Sequence, residues 1–247
     1  MKPFKPLWLA AVIISIFFSC NGHKSNVAQN IRRASSQDTL SGVIERPSQS
    51  YVLLFDFDDN KLDTLPAGWS QYYNGNGGTD WRVIDYEGNG VLAQLQGDNP
   101  NNHFNIVVYD SLQAKDVDLT VQMLAIRGHY DQGGGLIWRF SDKDNYYIVR
   151  ANPLENNVVL YRVKNGHRRD LPILGKGRTY GTKVPDMGKG WHTIRLTAKG
   201  DTFTVFFNGR ELFKVVDSTF RKSGKIGLWT KADAVTYFDS LKVRLLP

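Results

Sequence analysis

The chain has 247 residues, 41% hydrophobic and 12% aromatic, with 6 Trp and 13 Phe, one Cys and a formal net charge of +7. That length fits one large β domain, and this much apolar material supplies a core without disulfides or a metal. The basic residues are dispersed and no aromatic-basic single-strand motif accompanies them, which argues against nucleic acid as a partner.

Lys2 and Lys5 precede the apolar run Leu7 to Phe18, which ends at Ser19 and Cys20 before the composition turns polar. A charged start and an apolar stretch too short to span ~30 Å of hydrocarbon read as a signal peptide over residues 1–19. A small residue directly before the only Cys resembles the lipobox of bacterial lipoproteins. That resemblance implies cleavage before Cys20, acylation of Cys20, and a lipid anchor in the bacterial cell envelope, facing the periplasm or the cell surface. Loss of Lys2 and Lys5 lowers the formal charge from +7 to +5. Acyl chains, at about 0.8 kcal/mol per buried methylene, then dominate the membrane contact. Residues 20–50 are rich in Ser, Asn, Gln and Arg, the composition of a flexible tether.

The folded domain is expected over residues 51–247. In chain order its strands read YVLLFDF, DWRVID, GVLAQLQ, FNIVVYD, VDLTVQMLAI, GLIWRF, YYIVRAN, NVVLYRV, WHTIRLTAK, TFTVFF, ELFKVV, KIGLWT and VTYFDSLKVRL. Asn208-Gly209 supplies the positive φ angles of a two-residue hairpin turn, and Lys199-Gly200-Asp201 closes the hairpin before it. No amphipathic run of helical length competes. Strands without helices between them predict an all-β sandwich of antiparallel sheets.

Period-two alternation assigns the faces. Leu136, Trp138 and Phe140 are expected inward, leaving Arg139 outside. Tyr147, Val149 and Ala151 inward leave Arg150 and Asn152 outside, and Val159, Tyr161 and Val163 inward leave Arg162 outside. Arg139, Arg150 and Arg162 are then expected on one open face, where guanidinium groups can fork or stack. The competing expectation is that each pairs with a neighbouring carboxylate.

Three segments carry a family likeness: DQGGGLIWRFSDKDNYYIVRANPLENNVVLYRV, GWHTIRLTAKGDTFTVFFNGRELFKVVDSTF and GKIGLWTKADAVTYFDSLKV. They resemble secreted bacterial proteins of the concanavalin A-like lectin/glucanase superfamily, nearest to LamG-like and 3-keto-disaccharide hydrolase domains. The likeness covers roughly Phe55 to Val243. It implies a concanavalin A-like jelly roll of two curved sheets with any ligand on the concave one. The superfamily includes binding domains, glycosidases and lyases, so the fold does not choose among them. The ExDxE-type motif of one glycosidase family is absent.

A sugar offers apolar C–H faces and hydroxyl edges, so its site wants flat aromatics beside amides, Arg or acids. Tyr146, Trp229 and Lys231 meet that description, with Arg139, Arg150, Asn152 and Arg162 as the polar partners. Trp81, Trp138 and Trp191 read as packing residues. Glu155, in the loop near Arg150, is the acid with a catalytic reading, and equally a loop acid that pairs with an arginine. The leading expectation is a membrane-anchored, monomeric lipoprotein that binds carbohydrate. The alternative is a glycoside hydrolase or lyase acting on 3-keto-disaccharides or a polysaccharide.

No cofactor is required by this reading, and the five His show no zinc spacing. The superfamily resemblance implies a structural calcium where first and last strands meet, with Asp56, Asp58 and Asp239 as oxygen donors. FDFDD reads equally as a strand end with solvated acids.

Overall fold

The computed structural model describes residues 51–247 together with the backbone of Arg32–Arg33. Cys20, the signal peptide and most of the tether therefore lie outside the described residues. The first strands are β1 (Arg32–Arg33), β2 (Val52–Phe55), β3 (Trp69–Asn74), β4 (Trp81–Tyr86), β5 (Asn89–Gln94) and β6 (Phe104–Ala114). There follow β7 (Val117–Arg127), β8 (Gly134–Asp142), β9 (Asn145–Asn152), β10 (Asn157–Lys164), β11 (His167–Asp170) and β12 (Thr182–Lys183). The chain ends through β13 (His192–Lys199), β14 (Thr202–Phe207), β15 (Arg210–Val216), β16 (Gly224–Lys231) and β17 (Val235–Leu245). No helix occurs among the described residues.

Two sheets form. One runs β1-β2-β17-β7-β13-β14-β15, with β5 also on β17 and β4 on β5. The other runs β11-β10-β9-β8-β16-β6-β3, with β12 on β10. Every pairing is antiparallel except the short one between β1 and β2. This is the jelly-roll sandwich expected from the sequence. Asn208 and Gly209 take φ of 47° and 80°, and Gly200 takes 56°, so the two hairpin turns close as their residues dictate.

The main core lies between the sheets, where Leu136, Trp138, Tyr147 and Val149 meet Leu119, Val121, Ile194, Leu196 and Phe203. A second apolar cluster covers the other side of the eight-stranded sheet: Phe104, Ile106, Val108, Ile137, Phe140, Tyr146, Ile148, Val163 and Trp229. That sheet is thus apolar on both faces, which explains near-continuous runs such as Phe104 to Tyr109.

The second cluster is buried because the sheet rolls around it. Asn74 on β3, one margin of the sheet, donates to Asp144 in the β8–β9 turn. A Cβ placed on Gly166, in the β10–β11 turn, would lie 3.1 Å from Asn74 Nδ2. In a flat sheet β3 and β10 stand five strand spacings of about 4.8 Å apart. Only strong curvature brings those margins together.

The expected faces hold for β9 and for β8 as far as Trp138, and fail at two places. On β10 the register pairs Arg150 with Val159, Ile148 with Tyr161, and Tyr146 with Val163. Val159, Tyr161 and Val163 therefore face the rolled side, while Val158 and Leu160 enter the main core. Arg162, paired with Tyr147, falls on the inter-sheet side instead of the open face. A one-residue slip inverts a whole strand, and with apolar residues on both sides hydrophobicity did not oppose it. On β8 a bulge interrupts pairing between Trp138 and Asp142, and Arg139 takes a φ of 50°. Phe140 is thereby thrown into the rolled-side cluster and Arg139 is turned inward. The shared arginine face is not formed.

Candidate functional site

Strand pairing sets the site on the rolled face. Across it run Trp229, Gly135, Arg150 and Val159, and in the adjacent row Gly227, Ile137, Ile148 and Tyr161. Gly135 separates the two largest side chains of its row. A Cβ there would meet Val149 O at 1.9 Å and Arg150 Cα at 2.8 Å, so the backbones approach as only glycine permits.

Arg150 is fully buried at the centre of a polar group. Its Nη1 donates to Asn157 Oδ1 (2.7 Å) and its Nη2 to Glu155 Oε2 (2.8 Å), Tyr161 Oη (3.1 Å) and Tyr180 Oη (3.3 Å). Glu155 also accepts from Asn157 Nδ2 at 3.0 Å. Burial alone would raise the Glu155 carboxyl, but the Arg150 charge and these hydrogen bonds outweigh it and hold the group below the usual carboxylate range. Burial likewise opposes the charge on Arg150, yet Tyr161, Glu155 and Asp131 around it keep the guanidinium more basic than in water. Glu155 is therefore an ionised acceptor.

The second part of the site comes from the loop before β8. Asp131, almost fully buried, accepts from Gly133 N (2.6 Å) and Asn152 Nδ2 (3.1 Å) and pairs with Lys231 Nζ at 3.2 Å. The loop is fixed from beneath by Asp233, which accepts the main-chain N–H groups of His129 (2.5 Å), Tyr130 (3.0 Å) and Asp131 (3.1 Å). Burial would raise the Asp233 carboxyl; three backbone donors outweigh that and hold it low. Tyr130 and Tyr180 remain exposed beside the cluster.

Aromatic rings complete the site. Arg168, from the marginal strand β11, lays its guanidinium carbon 4.4 Å from the Tyr161 ring centre and 5.4 Å from both Phe104 and Trp229. Arg150 sits between Tyr161 (5.8 Å) and Tyr180 (5.9 Å). Arg168 Nη1, Arg150 Nε, Trp229 Nε1 and Tyr146 Oη are buried without a hydrogen-bond partner. They make up half of the eight such side-chain atoms among the described residues, gathered on one sheet face. Burial pushes the Tyr146 hydroxyl far up, against a smaller lowering from nearby Trp229, so it stays protonated.

Of the seven residues expected to bind a glycan, five share this face: Tyr146, Arg150, Asn152, Trp229 and Lys231. Tyr146 and Trp229 form its floor and are buried, not offered at an edge. Arg139 plugs one end of the sandwich, donating to the main-chain oxygens of Lys115 (3.0 Å), Phe220 (2.8 Å) and Gly200, pairing with Asp116 at 3.2 Å and lying over Phe203. Arg162 binds Asp217 (3.0 Å) and Thr219 (2.8 Å), where Asp217 also takes the Tyr147 hydroxyl at 2.6 Å. Both are fastenings between elements. Sequence reasoning missed Arg168, Asp131, Tyr161 and Tyr180; correct β10 parity would have found Tyr161.

Asp239 is raised by burial first, with Asp58 and Asp56 adding repulsion, which places the three expected calcium donors near one another. No group of three or more His, Cys, Asp or Glu side chains that could hold a metal ion occurs among the described residues.

A family model described as the 3-keto-alpha-glucoside-1,2-lyase-like domain matches residues 51–244. The chain belongs to this family. No curated protein matches it by sequence. Among solved structures, the lyase-like domain is similar to the carbohydrate binding module CBM66 from Bacillus subtilis, at 19% identity and a TM-score of 0.53, covering 71% of this chain and 94% of that one. It is also similar to the GH43 BlXynB protein from Bacillus licheniformis, at 13% identity and a TM-score of 0.52, covering 77% of this chain and 39% of that one. At these identities the likeness of the lyase-like domain to both is one of fold.

Proposed function

We propose that the protein binds a carbohydrate at the open end of the rolled face, around Arg150, Glu155, Asn152, Tyr180, Trp229 and Lys231. One observation carries the reading: flat rings, fixed guanidinium and amide donors and an ionised carboxylate converge there, and four buried polar atoms nearby lack partners. Sugar hydroxyls both donate and accept, so they suit a mixed set of this kind, while C–H faces suit the rings. The same reading has the domain held at the cell envelope through Cys20 by a lipid. The test is a glycan array with the purified protein, followed by titration calorimetry. Binding weakened at least tenfold by Glu155→Gln supports the site, and indifference to every glycan sinks it.

A second reading is favoured by the pairing of an ionised Glu155 with Arg150 and two tyrosine hydroxyls in a member of this family. In a 3-keto-glucoside the carbonyl acidifies the proton on C2. The Glu155 carboxylate would take that proton, leaving an enolate whose oxygen a guanidinium stabilises. Return of the electron pair then forms the C1–C2 double bond, breaks the C1–O bond, and a hydroxyl donor protonates the departing oxygen. Mass spectrometry separates the outcomes. Elimination splits substrate into an unsaturated 3-keto sugar and an alcohol, hydrolysis adds water, and pure binding returns the glycoside intact.

A further inference from the structure

We infer that the sugar this site prefers is acidic, carrying a carboxylate as in a uronic acid, and that Arg168 is the residue that receives it. This rests on the carbohydrate reading above and names its ligand class. The cations around the rolled face are not equivalent. Arg150 pairs with Glu155, Lys231 with Asp131, and Lys225 with Asp110 at 2.6 Å. The Arg168 side chain has neither an ion pair nor a hydrogen bond among the described residues. It is half-buried, and its Nη1 is fully shielded from solvent with no acceptor.

A guanidinium carries five N–H donors in a planar fork and cannot shed its charge. Three aromatic rings, from Tyr161, Phe104 and Trp229, hold its carbon at 4.4–5.4 Å, so its orientation is set while its donors stay unspent. Ring contacts offset part of the desolvation but supply no acceptor for those N–H groups. The geometry is that of a receptor awaiting an oxyanion. A carboxylate fits better than a point charge because two coplanar oxygens match two parallel donors. Adjacent groups accommodate the rest of a sugar: Tyr161 links Arg168 to Arg150, and Glu155 beyond it is left to accept hydroxyl protons. Glu155 spends its Oε2 on Arg150 and Asn157 and makes no ion pair with Arg168, which leaves its Oε1 for a ligand hydroxyl.

The experiment compares matched oligosaccharides on one backbone: neutral hexosides, the same chains with C6 oxidised to the uronate, and C6 sulfate esters. Affinities of the intact protein are measured by calorimetry at two salt concentrations. The uronate is expected to bind at least about tenfold more tightly than the neutral chain, with the advantage shrinking in high salt. Arg168→Gln is expected to abolish that advantage, and Arg168→Lys to retain part of it because charge without the fork remains. A melting curve checks the fold of each variant. Should Arg168→Gln not fold, the wild-type preference and the Lys variant decide alone. Equal or weaker uronate binding beside measurable neutral binding overturns this inference and leaves the carbohydrate reading standing. A preference for the sulfate ester alone overturns the carboxylate assignment, and no binding by any chain overturns the carbohydrate reading itself.

Discussion

Arg139→Met asks whether this buried guanidinium holds the sandwich together or serves a ligand. Methionine keeps an unbranched chain of similar reach and removes every donor. In the native fold Arg139 is 2% exposed and saturates three main-chain oxygens, from the β6–β7 turn, the β13–β14 turn and the segment after β15, besides Asp116. Asp116 keeps a second donor, Gly200 N at 2.9 Å, so the orphaned groups are mainly the carbonyls. Each buried group left unpaired costs about 1–3 kcal/mol, and turn carbonyls near the surface regain some water, which puts the total at roughly 3–4 kcal/mol. In a folded body of this size each kcal/mol moves the melting temperature by about 2–4 °C, so a drop of roughly 6–16 °C is expected. Urea denaturation and a thermal melt read the loss, and calorimetry on the same sample reads glycan affinity, expected unchanged in the folded variant. A variant with wild-type stability and lost binding would refute the placement of Arg139.

Gly135→Ala is expected to be destabilising by several kcal/mol or to prevent folding, measured as soluble yield and urea midpoint, because its Cβ has no space beside Val149 O. Asp233→Asn removes the carboxylate that gathers three main-chain donors, so amide hydrogen exchange is expected to accelerate over residues 128–133 and glycan affinity to fall with it. Burial would raise the Asp217 carboxyl, but bonds from Thr219 and Tyr147 and the Arg162 charge outweigh it and hold the group below the usual carboxylate range. A lowered carboxyl contributes stability that is present above its unfolded pKa and lost as pH falls through the folded one. Acid titration of unfolding free energy should therefore show a loss below about pH 4 that Asp217→Asn diminishes, and an unaltered slope would contradict the network.

The fold was legible because its rules are local. Asn208-Gly209 specifies its turn, alternation in β13 and β14 names one buried side, and the absence of helical periods leaves only sheets. Marginal strands escaped notice: HRRD of β11 and WSQYYN of β3 are polar or mixed, as strands at an edge tend to be. The site was legible in part. Arg150 and Asn152 follow from alternation in a strand whose parity was right, and Trp229 and Lys231 from their chemistry, a flat ring and a cation suited to a sugar. Arg139 and Arg162 do not, since a left-handed residue in mid-strand and a choice between two apolar faces are both settled by tertiary packing. Arg168 was invisible for a further reason. Its role depends on curvature that brings β11 over β16 and β6, four and five places away along the sheet.

The seam of the roll has a mechanical consequence. β3 pairs with β6 alone, so where its Asn74 meets Asp144 and Gly166 no ladder of main-chain bonds crosses. The lips of the roll can part by releasing a few side-chain contacts while every strand keeps its neighbours. Access to the shielded Trp229 indole and Tyr146 hydroxyl is thus uncoupled from global unfolding.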